Sequence, residues 1–90
     1  MNYWTSDLGV LSAGAVVEVA LTGNAANVML LDSSNLASYK SGRSFHYVGG
    51  HFKRSPIRLT APSSGHWHVL IDYGGAAGNG TASVRLLTRR

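Results

Sequence analysis

Short apolar runs with two-residue alternation, each closed by glycine or by a cluster of small polar residues, follow one another along the chain. They leave no room for a helix-periodic segment of about 10–15 residues. That pattern commits the chain to β structure. Eleven glycines against two prolines supply the tight turns such a chain needs. With 90 residues a single core suffices, so one domain over 1–90 is expected.

The longest apolar run, Gly65-His66-Trp67-His68-Val69-Leu70-Ile71-Asp72-Tyr73-Gly74-Gly75, reads as the central strand. Alternation places Trp67, Val69, Ile71 and Tyr73 on the core side and His66, His68 and Asp72 on the other. The segment Met1–Asp7 suits an edge strand, and Leu8–Gly14 reads as a glycine-punctuated turn. Ala15–Thr22 alternates with Val17, Val19 and Leu21 on one face and Glu18 outward. Ala26–Asp32 is apolar on both faces, which predicts a strand covered on both sides.

Asp32-Ser33-Ser34-Asn35 is a run of helix-capping residues, after which Leu36 and Tyr39 face the sandwich from a short helical turn near residues 34–40. Ser44–Val48 resumes a strand, Gly49-Gly50 breaks it, and His51–Ser55 forms a basic loop. Pro56–Ala61 turns Ile57, Leu59 and Ala61 inward and Arg58 outward. A β-turn at Pro62–Gly65 then leads into the central strand. After a small-residue loop at Gly74–Gly80, Thr81–Thr88 closes the fold with Ala82, Val84 and Leu86 inward, and Arg89-Arg90 fray. The expected fold is an all-β antiparallel sandwich of seven to eight strands, Greek-key or jelly-roll-like.

The net charge of +4 arises from scarcity of acids: only Asp7, Glu18, Asp32 and Asp72 oppose eight Lys and Arg. Such a surface tolerates anionic partners without demanding them. Without cysteine there are no disulfides, thiolate zinc sites or thiol nucleophiles. Met1–Val10 has neither the basic start nor the apolar centre of a signal peptide, and no run approaches the roughly 20 apolar residues that span a bilayer. A cytoplasmic location with no membrane contact is the expectation.

The sharpest chemical pattern is His66-Trp67-His68 with Asp72 after it. His-x-His with a later carboxylate resembles the metal motif of cupin barrels, whose second motif only His46 or His51 could supply here. Yet His66 and Asp72 lie about 20 Å apart on a flat strand at roughly 3.3 Å per residue, too far to share one ion. No metal and no cofactor is therefore expected from His66, His68 and Asp72. No nucleophile elbow, carboxylate pair or phosphate loop stands out, so no catalytic residue is expected.

A second pattern is cationic. Lys40, Arg43, Lys53, Arg54 and Arg58 lie among Tyr39, Tyr47, His51 and Phe52, a mixture that can hold an anionic ligand or stack single-stranded nucleic acid. The ligand-binding candidates are thus Lys40, Arg43, His51, Lys53, Arg54, Arg58, His66 and His68. Tyr3, Trp4, Trp67 and Tyr73 would suit a carbohydrate platform, but rings packed between sheets are the commoner outcome.

The strings Asn24–Asn35, Tyr47-Val48-Gly49-Gly50-His51, Ser55-Pro56, Gly65-His66-Trp67-His68 and Ile71-Asp72 together resemble a small bacterial family, the domain-of-unknown-function family numbered eighteen eighty-three. The resemblance covers nearly the whole chain. It implies a compact β-sandwich, which some members carry ahead of a Toll/interleukin-receptor-type signalling domain that is not among these 90 residues. It brings no catalytic residue to carry over. A looser likeness in pattern is to jelly-roll modules such as GOLD domains, which bind or shield partners.

The function expected is that of a small non-enzymatic binding module, a sensor or adaptor for an unknown protein or anionic ligand. Nucleic acid is possible but not favoured. The alternatives are a cupin-like metal enzyme using His66 and His68, and a structural β domain that self-associates; the sequence leaves monomer and homo-oligomer open.

Overall fold

A computed structural model describes residues 3–23, 25–72 and 80–88. Seven strands and one helix follow in order: β1 (Tyr3–Leu11), β2 (Val16–Gly23), β3 (Ala26–Asp32), α1 (Ser33–Lys40), β4 (Val48–Phe52), β5 (Ile57–Thr60), β6 (Gly65–Asp72) and β7 (Gly80–Thr88). They form two antiparallel sheets, one ordered β1-β6-β3-β4 and the other β5-β2-β7. Every connection except that between β3 and β4 changes sheet, which is how a sandwich of this kind is wound.

The alternating residues meet between the sheets. Val17 and Val19 of β2, Val28 and Leu30 of β3, Ile57 and Leu59 of β5, and Trp67, Val69 and Ile71 of β6 are all buried in one cluster. Trp67 fits there because its indole N–H donates to the Ser63 carbonyl at 3.0 Å, satisfying the polar edge of a buried ring. Leu21, Ala82, Val84 and Leu86 close the cluster from the edges.

The four-stranded sheet has a second covered face. Met29 and Leu31 of β3 and Leu70 of β6 pack there with Leu36 of α1, flanked by Tyr39 and Phe45. That is why β3 is apolar at every position from Val28 to Leu31. Eight residues make α1, longer than a single turn. Asp32 caps it: its Oδ1 accepts from the Asn35 backbone N–H and from Asn35 Nδ2, each at 2.9 Å.

Three boundaries differ from the sequence pattern, each for a local reason. β1 does not stop at Asp7; it runs on to Leu11 through a bulge between Asp7 and Gly9, with Gly9 at φ 76 in the left-handed region. Ser44–Tyr47 forms no strand, and β4 begins at Val48 and passes through Gly49-Gly50 to Phe52. The glycines are not breakers there. Gly49 has φ 138, and a Cβ at that position would run into the Val28 carbonyl, so only glycine lets β4 lie this close to β3. His51, assigned to a loop by the sequence pattern, consequently stands on β4 opposite Asn27. The expected core position of Tyr73, the 74–79 loop and the frayed Arg89-Arg90 lie outside the described residues.

Candidate functional site

The outer face of the four-stranded sheet, opposite the three-stranded sheet, collects most of the chemistry. Strand register puts Asp7 of β1 beside His68 of β6, with Leu31 of β3 on the other side of His68, and Asn27 of β3 between Asp72 and His51. Leu70 and Met29 lie between these ends, beneath α1. The helix thus divides one face into two polar ends.

At one end the Asp7 carboxylate meets His66. His66 Nε2 is 2.6 Å from Asp7 Oδ1, and the same oxygen accepts the Gly9 N–H at 2.8 Å, a bond that the bulge makes possible. The Gly9 N–H, and after it His66, hold the Asp7 carboxyl below its ordinary value of 3.8. The rings of His66 and His68 stack with centroids 5.0 Å apart and planes inclined by 21°. His68 Nε2 lies 2.9 Å from the Ser33 hydroxyl at the start of α1. Partial burial pushes His68 below 6.5, opposed by the negative charge of Asp7.

At the other end Asp72 is 8% exposed, and its Oδ2 accepts the Tyr39 hydroxyl at 2.6 Å. Beside this pair an open cleft of about 380 Å³ is walled by Tyr39, Phe45 and Tyr47 and by Asn27, Gly50 and His51, with Met29 and Asp72 also lining it. Edge-on contacts between Tyr3 and Tyr39, at 5.4 Å, and between Tyr39 and Phe45, at 5.2 Å, fix the rings. Tyr47 extends the series, 5.5 Å from Phe45 and 48% exposed. The Asn35 Oδ1, accepting the His46 N–H at 2.8 Å, ties this aromatic segment back to α1. His51 Nδ1 lies 3.1 Å from Asn27 Oδ1.

The candidates named from sequence scatter over three places. His66 and His68 come together, but with Asp7 and not with Asp72, which Tyr39 engages at the far end of β6. His51 lines the cleft, and Lys40, Arg43, Lys53 and Arg54 are exposed on segments adjoining it in the chain. Arg58 points from the outer face of the three-stranded sheet, where it and Arg85 flank Glu18 at 3.2 and 2.9 Å. Arg58 therefore does not share a surface with Lys40 and Arg43. Nor do the four histidines converge: among the described residues the one group of three or more potential ligands close enough to share an ion is Asp7, His66 and His68.

Sequence reasoning missed Asp7 because its proximity depends on the pairing of β1 with β6 and on the bulge. The only local signal is Asp7-Leu8-Gly9, the spacing of a side chain that caps its own turn. The cleft had a partial signal in Tyr39, Tyr47 and His51, while Asn27 and Asp72 enter it only through register.

No helix among the described residues is long and apolar enough to cross a membrane. Among curated proteins and among solved structures nothing matches the chain. One family model, "Domain of unknown function (DUF1883)", matches residues 1–90, and the chain belongs to that family.

Proposed function

We propose that this domain is a non-enzymatic binding module, a sensor or adaptor, whose seat is the aromatic cleft beside Asp72 and whose ligand is an anion bearing a ring or apolar group. The observation that carries this reading is the cleft itself. An exposed Tyr47, a fixed Tyr39 and Phe45, and a polar edge of Asn27 and His51 open beside a segment rich in cations. Concave sites of this kind, apolar with a few placed polar groups, are where small ligands settle. Among the described residues Lys40, Arg43, Lys53 and Arg54 have no acidic partner at ion-pair distance, so their charge is available to a ligand. The Tyr39 hydroxyl covers one oxygen of Asp72, which lessens the repulsion an anion would meet there.

The test is amide chemical-shift mapping of the full chain with two small aromatic anions, salicylate and anilinonaphthalene sulfonate. Shifts should concentrate on residues 39–47, Asn27, Gly50 and His51. The paired change Lys53→Ala with Arg54→Ala should weaken binding about tenfold with thermal stability unchanged, since each exposed charge pair contributes up to about 1 kcal/mol. Scattered shifts, or equal binding by the double variant, would discard the cleft and its cations as the working surface.

A further inference from the structure

We infer that Asp7, His66 and His68 form a binding site for a divalent transition-metal ion of the zinc, nickel or copper type. Two imidazoles and one carboxylate each place a donor atom within 4.8 Å of the other two. Tetrahedral ligands about 2.0–2.1 Å from zinc stand roughly 3.4 Å apart, so small side-chain rotations bring this set around one ion. Imidazole nitrogen with carboxylate oxygen is the donor set that zinc, nickel and copper favour, whereas magnesium and calcium prefer oxygen alone.

Three features show how the fold places these donors. His66 and His68 alternate on one face of β6, with ring centroids 5.0 Å apart. Register pairs Asp7 with His68 and so puts it on that same face, while the bulge at Asp7/Gly9 lets the Gly9 N–H anchor its carboxylate against His66. Ser33, at the start of α1, lies 2.9 Å from His68 Nε2 and so fixes the orientation of that ring. His66 and Asp7 are about half exposed, with side-chain accessibilities of 44% and 60%, so an ion can arrive and keep water in its remaining positions. This site is independent of the cleft: it lies at the opposite end of β6, on the other side of α1.

The bland alternative is a surface His66–Asp7 ion pair, and the two differ in what they predict. Untagged full-length protein, stripped with chelator, is titrated with Zn²⁺ by calorimetry and with Co²⁺ by visible absorption. One ion per chain should bind. Asp7→Asn, His66→Gln and His68→Gln should each weaken affinity by roughly 10–100-fold or more, at least the loss seen when a supporting contact is removed from a metal site. His46→Gln and His51→Gln should bind as wild type does. Circular dichroism at matched temperature shows whether each variant is folded. Binding absent at 1 mM metal in folded wild-type protein, or binding that survives His66→Gln and Asp7→Asn while His51→Gln removes it, overturns the inference.

Discussion

The Tyr39 hydroxyl donates to Asp72 Oδ2 at 2.6 Å within a partly buried setting and so helps to satisfy a carboxylate that sheet register has carried out of water. Burial, and after it the Asp72 hydrogen bond, raises the Tyr39 phenol well above its ordinary value of 10.0. For a group whose folded value is raised, the unfolded chain ionises first as pH climbs. The stabilisation is therefore complete below pH 10 and drains away above it. Tyr39→Phe should cost about 1.5–3 kcal/mol in urea unfolding at pH 7, the usual loss for a hydrogen bond to a charged group. The gap from wild type should narrow above pH 10; equal stabilities at pH 7 would show that water replaces the hydroxyl at no cost. Tyr39 was legible as a residue facing the sandwich, three after Leu36. Its bond to Asp72 was not, because 33 positions separate the two.

Helix α1 has eight residues, fewer than the roughly 12–15 an isolated helix needs, so it persists only by being attached. Leu36, 7% exposed against Met29, Leu31 and Leu70, is its apolar anchor, and Asp32 is its cap. Leu36→Ala should cost about 2–5 kcal/mol, as buried leucine truncations do. Amide exchange over residues 33–40 should accelerate far more than in β2, β3 and β6. A uniform acceleration across both sheets would mean instead that α1 does not open as a separate unit. The helix was readable from its capping run, and β3 from its two apolar faces. The end of β1 and the position of β4 were not, because a glycine in sequence does not declare its use. Gly9 serves a bulge inside a strand, and Gly49 a close approach to the Val28 carbonyl.

Among the described residues the charged side-chain contacts gather on two outer faces. On the three-stranded sheet Glu18 sits between Arg58 and Arg85 across neighbouring strands, and the Arg58 hydrogen bond, foremost, holds its carboxyl below 4.5. A depressed carboxylate contributes stability that is present above the unfolded value and lost as pH falls through the folded one. Glu18→Gln should therefore be less stable than wild type at pH 7, and the two should converge as pH drops below 4.5. A stability gap as large at pH 2 as at pH 7 would place the effect of Glu18 in packing, not charge. The sequence by itself determined the β class, the alternation that sorts Trp67, Val69 and Ile71 from His66, His68 and Asp72, and the outward direction of Glu18 and Arg58, because side-chain direction along a strand has a period of two. The tertiary structure alone decided which carboxylate meets the histidines. Asp7 lies 59 positions before His66, and only antiparallel pairing of β1 with β6, offset by one bulged residue, brings their side chains together. It also parted Arg58 from Lys40 and Arg43, since nearness in the chain says nothing about which sheet a strand will join.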